Sequence, residues 1–194
     1  MSTPRSLESI ARSLASCRAL VAGLAALGPA PAARSVAAKK KGEPCIQPTP
    51  GLQAQVNAAG SGGTLRLCGG TFNLSGLLSI PLDLTITGTS TTVLTGQGDR
   101  FGAILNVKAG KTVCVANVAF TGGTGSAELN GANRPAGGGV WNAGTLTLSK
   151  CRVRGNEASY GGGNFNAEDA TLLLAGLTGG GMGWEAAAVR PLPD

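Results

Sequence analysis

The stretch GGGVWNAGTLTLSKCRVRGNEASYGGGNFNA, residues 137–167, writes Gly-Gly-Gly-x-aromatic-Asn twice. The two asparagines, Asn142 and Asn166, stand 24 residues apart, and Trp141 and Phe165 precede them. A unit of that size holds two or three short strands and cannot bury its own apolar face. Stacked units can, and their equivalent residues then lie on top of one another. The repeat therefore predicts that Asn142 stacks on Asn166 at a corner, with Trp141 stacked on Phe165 beside them. Asn suits such a corner because it tolerates left-handed backbone and its amide bonds along the stack. The Gly triplets 137–139 and 161–163 are expected to form tight turns that leave no room for a side chain. Asn164 stands where Val140 does, at the inward phase, so that coil is either locally polar or ragged.

Working outward, short alternating runs cut by Gly and Asn begin at Thr64. They are TLRLCGGTFNL (64–74), LLSIPLDLTITG (77–88), AILNVKAG (103–110), TVCVANVAFTGG (112–123), TLTLSKCRVRGN (145–156) and ATLLLAGLTGGG (170–181). Each is strand-length, rich in Leu, Val, Ile and Thr, and bounded by turn residues. TVCVANVAFTGG superposes on TLTLSKCRVRGN. Val113, Val115, Val118 and Phe120 fall over Leu146, Leu148, Cys151 and Val153, and the corners Ala116-Asn117 and Ser149-Lys150 reset the alternation. Upstream, LQAQVNAA (52–59) places apolar residues at 52, 56 and 59, a short amphipathic helix.

The repeat GGGVWNAGTLTL…VRGNEASYGGGNFN resembles that of right-handed parallel β-helix proteins of the pectin-lyase-like superfamily, in a Gly-rich bacterial branch. LQAQVNAAGSGGTLRLCGGTFNLSG is similar to that family's opening. The resemblance covers about residues 45–181 and implies an all-β fold: a right-handed parallel β-helix (solenoid) with a short N-terminal capping helix. A β-sandwich would also use short strands and turns, but it leaves the repeated turn motif unexplained.

Composition agrees with a turn-rich β protein. The 194 residues include 32 Gly, only 13% charged residues and 4% aromatics, while 42% apolar residues support a core. The formal charge of +6 sits wholly in residues 1–41, where seven bases face Glu8 alone; residues 42–194 balance nine bases with nine acids. The folded part thus lacks the field that draws a polyanion such as nucleic acid, and no nucleic-acid partner is expected.

The start reads as an export leader. Arg12 and Arg18 precede the apolar run ALVAGLAALG (19–28), and small residues suited to cleavage follow. SCRALVAGLAALG is similar to twin-arginine leaders, with Cys17 where the second arginine would stand. The run is too short to cross a bilayer, which takes roughly 20 residues. The expected organisation is leader 1–38, a charged and Pro-rich linker 39–51, β-helix 52–181 and an irregular tail 182–194. That tail makes a poor cap and reads as the end of a shortened member of a longer array. Once the leader is removed, Cys45, Cys68, Cys114 and Cys151 remain, with three possible pairings. A Cys114–Cys151 bond is disfavoured, because Cys114 takes the outward phase and Cys151 the inward one.

Chemical signals are sparse. The chain has no His, which excludes Ser-His-Asp and Cys-His nucleophile arrangements and His-containing metal sites. No cofactor and no metal site are expected. AGKT (109–112) lacks the Gly that a phosphate loop needs at position 105, which is Leu, and it opens a strand, so it reads as a turn. GGTGS (122–126) is followed by a loop, and the insertion 124–136 is the one place where a coil exceeds minimal length. Lys150, Arg152 and Arg154 form a basic patch on the wall, suited to grip the carboxylates of acidic sugars. Glu157, Glu168 and Asp169 lie one corner away or on the next coil and complete the candidate binding set.

Polysaccharide lyases of the resembled superfamily use a basic proton abstractor and a calcium-holding acidic cluster. No strand here carries two or three outward carboxylates of the kind calcium needs. The expected function is an exported or cell-surface β-helix, non-enzymatic, presenting a repetitive surface to glycan, cell-wall or protein partners. The alternative is a carbohydrate-active enzyme, a lyase or glycosidase. A third reading is a fragment of a larger surface protein with no function of its own.

Overall fold

The computed structural model describes residues 44–96, 102–125 and 136–175. The expected leader and tail, the start of the linker, most of the insertion at 124–136 and the run from 176 to 181 lie outside the described residues. In chain order the elements are α1 (Leu52–Ala58), β1 (Gly63–Arg66), β2 (Gly70–Asn73), β3 (Leu78–Ile80), β4 (Leu84–Thr87), β5 (Thr92–Thr95), β6 (Leu105–Val107), β7 (Thr112–Ala116), β8 (Ala119–Thr121), β9 (Val140–Asn142), β10 (Thr145–Ser149), β11 (Arg152–Val153), β12 (Asn164–Asn166) and β13 (Thr171–Ala175).

Every third strand joins the same sheet. Sheet I runs β1-β4-β7-β10-β13, sheet II β2-β5-β8-β11 and sheet III β3-β6-β9-β12, and every pairing is parallel. The chain thus passes sheets I, II and III in turn and then starts the next rung, giving an all-β, β-helix-like solenoid. Parallel neighbours need a long connection, and here each connection consists of the other two walls of the rung.

The sequence superposition holds residue for residue. Val113 pairs with Leu146 and Val115 with Leu148 between β7 and β10, and Phe120 pairs with Val153 between β8 and β11. Inward side chains from all three sheets form one core. It includes Ile86, Val113 and Leu146 of sheet I, Phe72, Leu94 and Phe120 of sheet II, and Ile80, Leu105 and Val140 of sheet III. A fully buried Leu or Phe stabilises by about 1.5–3 kcal/mol, and the stacking is what makes that burial possible.

Three points refine the sequence reading. β5 was not among the alternating runs, although TTVLT alternates; it is a central strand of sheet II with Leu94 wholly buried. VWN and NFN are strands of sheet III, with Asn142 and Asn166 as their last residues. Left-handed non-Gly backbone falls instead at Asn117 (φ 57), Lys150 (φ 52) and Asp169 (φ 64). Asn117 and Lys150 are the corner residues between sheets I and II, where one positive-φ residue restores the inward phase for Val118 and Cys151, both buried. AGKT forms the turn between β6 and β7, with the Lys111 N–H donating to Lys108 O at 3.2 Å.

The chain is tied down at its entry. Cys45 and Cys68 form a disulfide with Cα atoms 5.1 Å apart. Ile46 N–H donates to Arg66 O at 2.7 Å, and Cys68 N–H to Ile46 O at 2.9 Å. The Pro-rich stretch expected to be a linker is therefore fastened to the first rung. Cys114 is also disulfide-bonded, whereas Cys151 is free and buried, so those two cysteines are not bonded to each other. Cys151 fills the core position above Val118, where the sulfur acts as a small apolar group.

α1 buries Leu52 and Val56 in the same core. Its Gln53 amide meets β3 as a strand would. Gln53 Nε2 donates to Ser79 O at 2.9 Å, and Gln53 Oε1 accepts from Ser79 N–H at 2.7 Å. One side chain thereby satisfies both backbone groups of an edge-strand residue.

Candidate functional site

Each sheet has an outward face, and the three faces differ. On sheet I the outward register is rich in hydroxyls, with Thr64 and Thr85 preceding Cys114 and Thr147 across successive strands. On sheet III it runs Ser79, Asn106, Trp141 and Phe165. Trp141 and Phe165 stack with ring centroids 4.4 Å apart and planes inclined by 22°. With Ala103 and Ala136 they form a second apolar cluster outside the main core, and Trp141 is only 5% exposed. Asn106 is buried on this face, and its Nδ2 has no hydrogen-bond partner.

The outward face of sheet II is exposed at its two ends and partly covered between them. Its register gives two columns, Thr71–Val93–Ala119–Arg152 and Asn73–Thr95–Thr121, and Arg154 continues the second beyond β11. Thr71, Asn73, Arg152 and Arg154 are exposed. Arg152 N–H donates to Val118 O at 3.0 Å and Arg154 N–H to Phe120 O at 3.1 Å, so the backbone beneath both guanidinium groups is fixed to the previous rung. None of the four strands of this sheet carries Asp or Glu.

The residues singled out from sequence divide among several places. Arg152 and Arg154 share the wall of sheet II, and Lys150 stands exposed at the corner from which β11 starts. Glu157 lies on the turn from sheet II to sheet III, where its N–H donates to Gly123 O at 2.7 Å. Glu168 and Asp169 occupy the turn from β12 to β13, the corner between sheets III and I. With three walls around one core, that corner faces away from sheet II. The three bases are brought together; the three acids are distributed over two different corners. Among the described residues no group of three or more His, Cys, Asp or Glu lies together as a metal site.

Asn142 and Asn166 are register partners between β9 and β12. Asn142 Nδ2 donates to Asn166 Oδ1 at 2.6 Å and to Thr171 O at 3.0 Å, while Asn142 Oδ1 accepts from Gly144 N–H at 3.1 Å. Asn166 Nδ2 donates to Ala170 O at 2.6 Å. Both amides face inward and satisfy buried backbone groups at the corner, so their role is to hold one rung to the next.

Sequence reasoning passed over Asn156 and the Asn73–Thr95–Thr121 column. Asn156 Nδ2 donates to Phe120 O at 3.1 Å and its Oδ1 accepts from Gly123 N–H at 2.9 Å, clamping the turn that follows Arg154. The column had a signal: Leu94-Thr95-Gly96, Phe120-Thr121-Gly122 and Val153-Arg154-Gly155 share one pattern, an inward apolar residue, an outward polar one and a Gly.

Cys151 is the one described group with a marked titration shift. Burial raises its thiol from 9.0 to about 11, against smaller opposing contributions from backbone hydrogen bonds. It stays protonated and unreactive through the neutral range. No helix among the described residues is long and apolar enough to cross a membrane. No family model matches the sequence, and comparison with curated proteins and with solved structures finds no match either.

Proposed function

We propose that the chain is an exported or cell-surface, right-handed parallel β-helix of the pectin-lyase-like kind, with α1 as its N-terminal cap. It acts without catalysis, presenting a repetitive wall to glycan, cell-wall or protein partners. The observation that carries this reading is the rung-on-rung register of sheet II. That register lines up outward side chains along one face, exposed at both ends, and finishes in three bases. Rigid strands hold those side chains with little further loss of entropy on binding, which favours a polymer that meets several rungs at once. The leader-like start supplies the expectation of export.

Co-sedimentation of the purified chain with insoluble cell-wall polysaccharide tests the reading, with ultraviolet absorbance followed on soluble polyuronates in parallel. Retention on the solid without unsaturated product is the expected result. Appearance of unsaturated ends would replace the reading with that of a lyase, and absence of retention on any envelope fraction would remove it.

A further inference from the structure

Residues 45–50 lie on the first rung as a strap. Ile46 N–H donates to Arg66 O, Ile46 O accepts from Cys68 N–H, and the Ile46 side chain is half-buried against the core. Beyond it Pro48 rests over Gly70, its Cγ 2.9 Å from where a β-carbon on Gly70 would stand. Pro50 O accepts from Ser75 Oγ at 3.4 Å, near the limit of a hydrogen bond. α1 has its own hold on the core through Leu52 and Val56. The strap therefore depends on two backbone hydrogen bonds, one half-buried side chain and the Cys45–Cys68 disulfide.

The two sulfurs of that disulfide are unlike. Cys45 is exposed, whereas Cys68 is buried, at 7% exposure. Gln47 Nε2 donates to Cys68 Sγ at 3.1 Å. Thiol–disulfide exchange is favoured when the attacked sulfur is reachable and the departing one is stabilised as a thiolate. Here the reachable sulfur belongs to Cys45, and the departing one carries an amide donor.

We infer that Cys45–Cys68 is a redox latch on the strap, opened by a dithiol and shut by oxidation. The incoming thiolate bonds to Cys45 Sγ, and the electron pair of the S–S bond leaves on Cys68 Sγ, where the Gln47 amide stabilises it. The second thiolate of the dithiol then bonds to the first one's sulfur and expels Cys45 as a thiolate. The dithiol is oxidised to a disulfide, and the two protein sulfurs, reduced by two electrons, take up protons from water. The strap then lifts, leaving the main chain of Arg66 and Cys68 without its partner, while the rungs beyond keep their core. This device is separate from the wall-presenting reading and stands without it.

Exchange of the full chain with glutathione, quenched with iodoacetamide, is the test; peptide mass mapping reads each cysteine separately. Glutathione should appear on Cys45 and the alkyl group on Cys68, with Cys151 unlabelled. Gln47→Leu should slow the exchange by about three- to tenfold, the size expected for a hydrogen bond lost from a sulfur that gains charge. Gln47→Lys, which restores a donor, should recover the rate. A Gln47 that only braces the strap would act with the opposite sign, since a looser strap exposes the bond and is reduced faster. The double variant Cys45→Ser/Cys68→Ser removes this bridge and leaves Cys114 as it is. In it the amides of positions 46 and 68 should exchange hydrogen faster by about tenfold or more, while Val113 and Leu146 keep their protection.

Glutathione on Cys68, faster reduction of Gln47→Leu, or unchanged protection at positions 46 and 68 would each overturn the inference. Loss of protection at Val113 and Leu146, or failure of the double variant to fold, would also overturn it, because the bridge would then hold the whole fold and not a strap.

Discussion

Residues 137–149 and 161–175 are two copies of one sequence idea in two different surroundings. The first lies between neighbours on both sides; the second ends the described stack. A Cβ on Gly138 would meet Gly162 O at 2.3 Å, and one on Gly139 would meet Gly163 O at 2.5 Å. The same atom on Gly162 or Gly163 would find its nearest neighbour at 3.2 or 3.6 Å. Leu146 and Leu148 of β10 are buried, whereas Leu174 of β13, in register with Leu148, is 42% exposed. Val140 packs in the core, while its partner Asn164 keeps a buried Oδ1 with no hydrogen-bond partner. The motif sets the backbone path, and the neighbouring rung sets what each residue is worth.

Substitutions at paired positions break or sharpen that contrast. The largest difference is expected between Leu146→Ala and Leu174→Ala. The first leaves a cavity in a closed core and should cost about 2–5 kcal/mol, read from the midpoint of denaturant unfolding. The second removes a half-exposed side chain and should cost less than about 1 kcal/mol. Comparable losses would mean that β13 is covered as fully as β10. Next come the glycines. Gly138→Ala forces backbone against backbone and should cost about 1–3 kcal/mol, whereas Gly163→Ala, whose added carbon makes an ordinary contact, should be nearly neutral. A neutral Gly138→Ala would show that the two triplets are not packed one on the other.

A change of sign is expected third. Asn164→Val should stabilise by roughly 0.5–1 kcal/mol, because it removes an unpaired buried acceptor and restores the residue type found one rung earlier. A destabilised Asn164→Val would reveal that the amide is satisfied in solution. The smallest effect within the ordinary pH range belongs to Cys151. Its thiol is raised by burial to about 11. Between pH 9 and 11 the unfolded chain therefore releases a proton that the folded chain keeps, and stability falls as pH rises through that window. Below it the contribution is fully present and flat. Alkylation by iodoacetamide at pH 8 should follow unfolding; prompt labelling of the native chain at Cys151 would contradict its burial.

Much of this architecture was legible because the rung is short and repeats. The pairings of Val113 with Leu146 and of Trp141 with Phe165 follow from superposing two stretches of sequence. The opposite facing of Cys114 and Cys151 follows from phase alone, with the corner residue counted. β5 was harder to see, since TTVLT sits among Gly, Ser and Thr and resembles a turn by composition. Its strand character comes from Leu94 reaching a core that the other two sheets complete. The disulfide between Cys45 and Cys68 was beyond reach, because spacing left three pairings open.

The candidate site was only partly legible. Arg152 and Arg154 share an outward phase that alternation reveals directly. That Glu168 and Asp169 look out from a different corner depends on how three walls close around one core, which no local pattern encodes. The Asn73–Thr95–Thr121 column needs alignment of rungs of unequal length, which no single repeat spacing in the bare sequence supplies.

Gln53 carries a consequence for self-association. An unpaired strand at the margin of a sheet is a template on which another chain can add itself. By occupying both main-chain groups of Ser79 with one amide, α1 blocks such recruitment along sheet III at β3. Fibril growth on that sheet would therefore be barred at the β3 margin until the helix lets go.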